Sequence, residues 1–325
     1  MGKTNQLQHY IPQCYLRNFS ADKKSIYAYD KKLSKSYRMA INKCCCQKDL
    51  YLIDEASIEN QDNKMVTPLF FESNYFAAFI EPQYSRLLKK IIQAQELYRS
   101  TKVNTPIFSL DEKISFAYLL GVQWYRLPAR KEQLHRFNLE CANAEAEIIK
   151  SCMAYIKDDP KFLDLKVSAS SDPAIDHADV YADSEFLGEL ANILADKYWE
   201  FYYTDTNQIY TSDYPITIEP HVKDAPSYYE GFGMYGAEIS MPISKNIVLV
   251  IWDSQYFQDK KDIDCLFSEL DNKGIRRYNS MRYYYAKERL FCYKDEYALV
   301  RLIKYINNGA EIFINGDPQM KVYHG

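Results

Sequence analysis

Glu238-Ile239-Ser240-Met241-Pro242-Ile243-Ser244-Lys245-Asn246-Ile247-Val248-Leu249-Val250-Ile251-Trp252 decides the class of fold. It reads as two strands, Glu238–Pro242 and Asn246–Trp252, joined by Ile243-Ser244-Lys245, and so short a connection implies antiparallel pairing. Upstream, Trp199–Thr204, the turn Asp205-Thr206-Asn207 and Gln208–Thr211 read as a hairpin. Downstream, the pattern predicts a helix over Lys260–Asn279, an extended piece at Tyr283–Ala286, a helix over Asp295–Ile306 and a last short strand at Glu311–Ile314.

Further out, the period is helical from about Pro68 to Tyr155, where Phe79, Tyr84, Leu87, Leu88, Ile91 and Ile92 recur at helical spacings. Thr101–Pro106 breaks this run. Ser109-Leu110-Asp111-Glu112 is a capping box opening the next helix. That helix runs to Gln123-Trp124-Tyr125-Arg126-Leu127-Pro128, where the proline should kink or end it. Leu134–Ile156 and Ser184–Tyr198 read as further helices, and the polar stretches Glu55–Lys64 and Asp158–Asp176 as a loop and a boundary. Near the N-terminus, Ser25–Asp30, Tyr37–Ile41 and Asp49–Ile53 predict a small antiparallel sheet. The fold class is therefore α+β: N-terminal antiparallel strands, a central helical region and a mainly antiparallel C-terminal sheet with flanking helices. The 325 residues are expected to form one compact unit, with subdivisions near 1–66, 67–157 and 177–325.

Composition narrows the function classes. The net charge of −4, from 40 basic and 44 acidic residues, excludes nucleic-acid binding by bulk charge but leaves room for a local basic groove. Of the eight cysteines three are adjacent, Cys44-Cys45-Cys46, and none has zinc spacing, so reduced thiols are expected. The opening residues are polar and interrupted, and the longest apolar run is far short of a membrane span. A cytoplasmic protein is expected. The 30 Tyr and 16 Phe suit half-buried positions at element boundaries, where each tyrosine hydroxyl needs a partner.

Three polar groups carry the candidate chemistry. The first is His9-Tyr10-Ile11-Pro12-Gln13-Cys14-Tyr15-Leu16-Arg17-Asn18-Phe19, in which Pro12 starts a short helix and Leu16 and Phe19 anchor it. The second is Gln123, Arg126 and Arg130, on one helix face unless Pro128 swings Arg130 away; paired guanidiniums suit a phosphate or carboxylate. The third is Thr211-Ser212-Asp213-Tyr214-Pro215, a tight turn at a strand end. Arg130 and His135 match the R-x4-H spacing of certain helical ribonucleases, which need no metal because the RNA 2′-hydroxyl is the nucleophile. The spacing is short and weak by itself. His177, His221 and His324 have no metal-like companions in sequence.

His9-Tyr10-Ile11-Pro12-Gln13 with Tyr15, Leu16 and Phe19, then Gln123, Arg126, Pro128 and Arg130, then Thr211-Ser212-Asp213 with Pro215, Pro242-Ile243-Ser244 and Asn279, together resemble the bacterial domain of unknown function 4238 family. The resemblance covers nearly the whole chain and implies no activity. It departs at Tyr214, where the usual pattern is Asp-Asn-Pro. Similarity to proteins encoded near mobile-element and defence genes implies an antiviral or toxin-like setting.

The expectation is a nuclease-like protein acting on an RNA phosphodiester. His9 would be the general acid/base, Asp213 its orienter, and Arg126 with Arg130 the phosphate clamp. Tyr10, Gln13, Arg17, Gln123, Arg130, Thr211 and Ser212 would bind substrate. No cofactor and no metal ligand is expected, with divalent metal left open; RNA or another anionic ligand is the expected partner, with a partner protein or homo-oligomer also open. The alternative is a non-catalytic module holding an anionic ligand with the same residues. A third reading makes His9, Arg126 and Asp213 a buried structural network.

Overall fold

The computed structural model describes residues 6–53, 69–167, 173–223 and 231–309. The polar stretch Glu55–Lys64 and the strand expected at Glu311–Ile314 lie outside these residues, as does part of Asp158–Asp176. The architecture is α+β.

Five strands form the main sheet, in the order β10 (Leu266–Glu269), β5 (Tyr198–Tyr203), β9 (Ile247–Trp252), β8 (Ala237–Ser244) and β7 (Thr217–Pro220). The β8–β9 pair is the antiparallel one read above, with Ile239 opposite Ile251 and Met241 opposite Leu249. β9 is central and every residue of it is buried, which is why it is uniformly apolar. Among the described residues only the β10–β5 pair is parallel.

The three segments expected to form one N-terminal sheet do not do so. β2 (Ser25–Asp30) pairs with β3 (Lys35–Ala40), but its other edge takes β11 (Arg289–Cys292), which then pairs with β6 (Thr211–Ser212). Asp49–Ile53 is not a strand. Instead β1 (Leu7–His9) pairs with β4 (Cys46–Lys48), and the Tyr51 amide is taken by the Gln8 side chain at 2.7 Å. The hairpin expected from Trp199 to Thr211 is also absent, because β5 pairs with β9 and β10 while Thr211 goes to β11. In the segment expected to be one helix over Lys260–Asn279, Leu266–Glu269 is strand β10, and the helix, α7, runs over Asn272–Tyr285. It therefore includes most of the piece read as extended, since Tyr283 is fully buried on its inner face.

The remaining helices are α1 (Gln13–Leu16), α2 (Glu81–Thr101, continuing a π-helical run Phe71–Ile80), α3 (Leu110–Tyr125), α4 (Pro128–Lys157), α5 (Pro173–Ala182), α6 (Ser184–Ala195) and α8 (Ala298–Ile306). α3 opens on the Ser109/Glu112 capping box, with both reciprocal bonds formed. It packs on α6 at Gly121, where a Cβ would stand 3.0 Å from Leu190. All eight cysteines are free, and among the described residues no helix is long and apolar enough to cross a membrane.

Candidate functional site

Most of the opening stretch is buried between the helices and the five- and four-stranded sheets. Ile11, Tyr15, Leu16 and Phe19 are each fully buried. The Tyr15 hydroxyl donates to the Pro242 carbonyl at 2.8 Å and meets Thr211 Oγ1 at 2.7 Å, tying the first helix to β8 and β6. From the end of α3, Gln123 Nε2 donates to the Tyr10 carbonyl at 2.9 Å and Arg126 Nη2 to the His9 carbonyl at 2.6 Å. The second polar group thus grips the backbone of the first.

Arg126 is 1% exposed and lies in an aromatic box, its guanidinium 4.1 Å from the Phe76 ring centroid and 5.8 Å from that of Tyr51. Nη2 also pairs with Glu81 at 3.2 Å, and Nε donates to the Tyr51 hydroxyl at 3.4 Å. Burial opposes its charge, but Tyr51 and Glu81 more than offset this and hold the guanidinium protonated. Buried polar atoms around this grip without a hydrogen-bond partner include Arg126 Nη1, Gln123 Oε1, His9 Nε2 and Glu72 Oε2. Buried polar atoms are nearly always paired, which sets this group apart.

Among the titratable groups that feel Arg126 and Glu81 are His9 and Glu72. His9 is pushed below its ordinary value by burial; Glu81 opposes this and Arg126 adds to it. Its imidazole bonds the backbone of Asn42, which orients the ring. Glu72 is pushed above its ordinary value by burial, against Arg126 and with Glu81. Cys14, beside them, is raised to about 12 by burial and is no nucleophile at neutral pH. Arg17 is exposed and bonds Gln13 at 3.3 Å. Tyr10 is half-buried, with its hydroxyl on Cys45.

The other site residues expected from sequence go elsewhere. Pro128 places Leu127 in an extended conformation and starts a new helix, so Arg130 leaves the Arg126 face. It stacks 3.9 Å from the Trp124 ring centroid and donates to the Tyr214 hydroxyl at 2.6 Å. Arg126 and Arg130 therefore form no common clamp. Asp213 does not orient His9: its carboxylate accepts from the amides of Lys287, Glu288 and Arg289 at 2.9, 2.6 and 3.0 Å. Burial raises it to about 6 despite those three bonds. Ser212 Oγ closes the turn onto Tyr214, and Thr211 is the partner of Tyr15. Arg130 and His135 do not share a face, as five residues turn a helix by about 140°; His135 pairs with Asp176 at 2.6 Å.

Sequence reasoning missed Tyr51, Glu72 and Glu81, because glutamates on a helix read as a solvated face. It also missed a second cluster. Contrary to expectation, His221 has metal-like companions, with ligand atoms of Glu219, His221 and Glu238 within 4.8 Å of one another. His221 Nε2 bonds Glu238 at 2.7 Å, while Arg277 pairs with Glu238 through both terminal nitrogens, at 2.6 and 2.7 Å, and also with Glu219. Arg277 already neutralises the carboxylates, so the cluster closes on itself as an ion network.

With this geometry in view, the chain belongs to a known family: the one described as protein of unknown function (DUF4238) matches residues 7–296. No curated protein and no solved structure matches.

Proposed function

We propose that this chain is a nuclease-like protein acting on an RNA phosphodiester at the His9 site, as an effector in a bacterial antiviral or toxin-like system. The observation that supports this is the opposite displacement of two groups beside one buried arginine: His9 shifted down, Glu72 shifted up. Groups moved toward neutrality from both sides suit proton transfer. His9, unprotonated, takes the proton of a 2′-hydroxyl as that oxygen attacks phosphorus; Glu72 gives its proton to the departing 5′-oxygen, leaving a 2′,3′-cyclic phosphate. Arg17 and Arg126 offset the charge on the phosphate oxygens. The scheme uses no cofactor.

The test is cleavage of total RNA and of single- and double-stranded DNA, with and without divalent metal. RNA cleavage that yields cyclic phosphate, and that falls by about 100-fold or more in His9→Ala and in Glu72→Gln, is expected. Undiminished cleavage in both variants overturns the assignment. A non-catalytic module for an anionic ligand is the second reading, and it draws on the engagement of Gln123 and Arg126 with backbone carbonyls. Tight nucleotide binding without turnover would favour it.

A further inference from the structure

α4 stands largely clear of the body of the protein: of its 30 residues only Arg130 is buried. One face, through Asn138, Ala142, Ala146, Lys150 and Met153, is half-buried. On the opposite side Phe137, Cys141, Ala144, Ile148, Cys152 and Tyr155 recur every three or four residues, and all are exposed. Phe137, Ile148 and Tyr155 are 61, 63 and 89% exposed, and Ile156 beside them 69%. So long an apolar stripe marks a contact surface. Glu140 and Glu145 border it, as does Glu147, which pairs with Lys150 at 3.0 Å.

A groove of opposite character lies between α7 and α8. Its cavity of about 610 Å³ is lined by Ile275, Ala298, Leu299 and Leu302, with Arg276 and Arg301 on the charged side and Glu296 among the walls. Both arginines are exposed, and neither enters an ion pair among the described residues.

We propose that the α4 stripe of one copy docks in the α7/α8 groove of a second copy. Apolar side chains meet an apolar floor in the helix-in-groove mode. Glu140 and Glu145 meet the two unpaired arginines, which fixes direction and partner. The two surfaces are unlike, so the contact is head-to-tail and builds rings or open chains instead of a symmetric dimer. This assembly is independent of the RNA reading.

The test is sedimentation of the full chain over a range of concentrations, up to about 100 µM, where weak contacts populate. The expected wild-type mass rises with concentration from 38.2 kDa to multiples of it. A stripe variant, Ile148→Asp with Tyr155→Asp, and a groove variant, Arg276→Glu with Arg301→Glu, should each stay at the monomer mass. Mixed in equal amounts they should form a species of twice that mass and nothing larger, because one intact stripe and one intact groove remain. Every substituted side chain is exposed, and circular dichroism checks the fold; Tyr155→Asp alone replaces the double variant if that one unfolds. A wild type that stays monomeric, a folded variant that still self-associates, or a mixture that does not associate overturns the proposal.

Discussion

Arg126→Ala should cost about 4 kcal/mol of folding stability. Losing the 2.6 Å bond from Nη2 leaves the His9 carbonyl with only the long contact from the Tyr51 hydroxyl at 3.5 Å, a loss of about 1.5–3 kcal/mol for a charge-assisted bond. Losing the face contact with Phe76 at 4.1 Å removes about 1 kcal/mol more. The void left inside the aromatic box adds about 1–2 kcal/mol. Against these, burial of the guanidinium itself is relieved, which brings the total into the range for breaking a buried charged pair, about 3–5 kcal/mol. Arg126→Lys keeps the charge but lacks the fixed planar fork that reaches His9, Glu81 and Tyr51 together and cannot stack as a plane, so about half the loss is expected. Urea unfolding followed by tryptophan fluorescence reads both, as a lower midpoint at unchanged slope. An alanine variant within about 1 kcal/mol of wild type would refute the view that this arginine fastens the N-terminal stretch.

The same unfolding assay checks three further expectations. His9→Ala should cost under about 1 kcal/mol, since Nε2 has no partner and only the bond to Asn42 is lost; a collapse of the fold would make His9 structural. Asp213→Ala should cost about 2–4 kcal/mol by leaving the amides of residues 287–289 unpaired. Because Asp213 is raised from 3.8 to about 6, the folded state holds more protons between those values. Its contribution therefore falls by up to about 3 kcal/mol as pH rises through that window. The gap between wild type and Asp213→Ala should be wider at pH 4 than at pH 7, and the reverse order would refute the shift. Arg282→Met should cost about 3–5 kcal/mol: this fully buried guanidinium serves Pro215, Thr217 and Ser240, enters no ion pair among the described residues, and is lowered to about 10 by burial. Stability equal to wild type would show those acceptors satisfied otherwise.

The sequence displays what neighbouring residues settle among themselves. The Ser109/Glu112 box, the helix start after Pro12 and the β8–β9 pair are all local signals, and each is present in the structure. It hides partners chosen at a distance. Nothing in Ser25–Asp30 says that its free edge takes Arg289–Cys292, since a half-buried strand carries the same alternation whatever pairs with it. Tyr283–Ala286 carries strand-favouring aromatics, yet packing holds Tyr283 inside a helix. At the site, His9, Gln123 and Arg126 stood out as polar groups lacking obvious partners. That two of them would grip main-chain carbonyls could not be read, because carbonyls have no letter in the sequence. Asp213 likewise serves three amides contributed by residues 287–289.

The seating of β11 between β2 and β6 has a consequence for biosynthesis. β2 leaves the ribosome long before its second neighbour exists, with 259 residues separating Asp30 from Arg289. At about 5–20 residues per second, that delay is roughly a quarter of a minute to most of a minute. Until then one edge of β2 and the docking floor of the first helix are open. Nascent chains of this protein should therefore bind chaperones that hold exposed strand edges, and release should follow emergence of residue 292 instead of completion of the helical region.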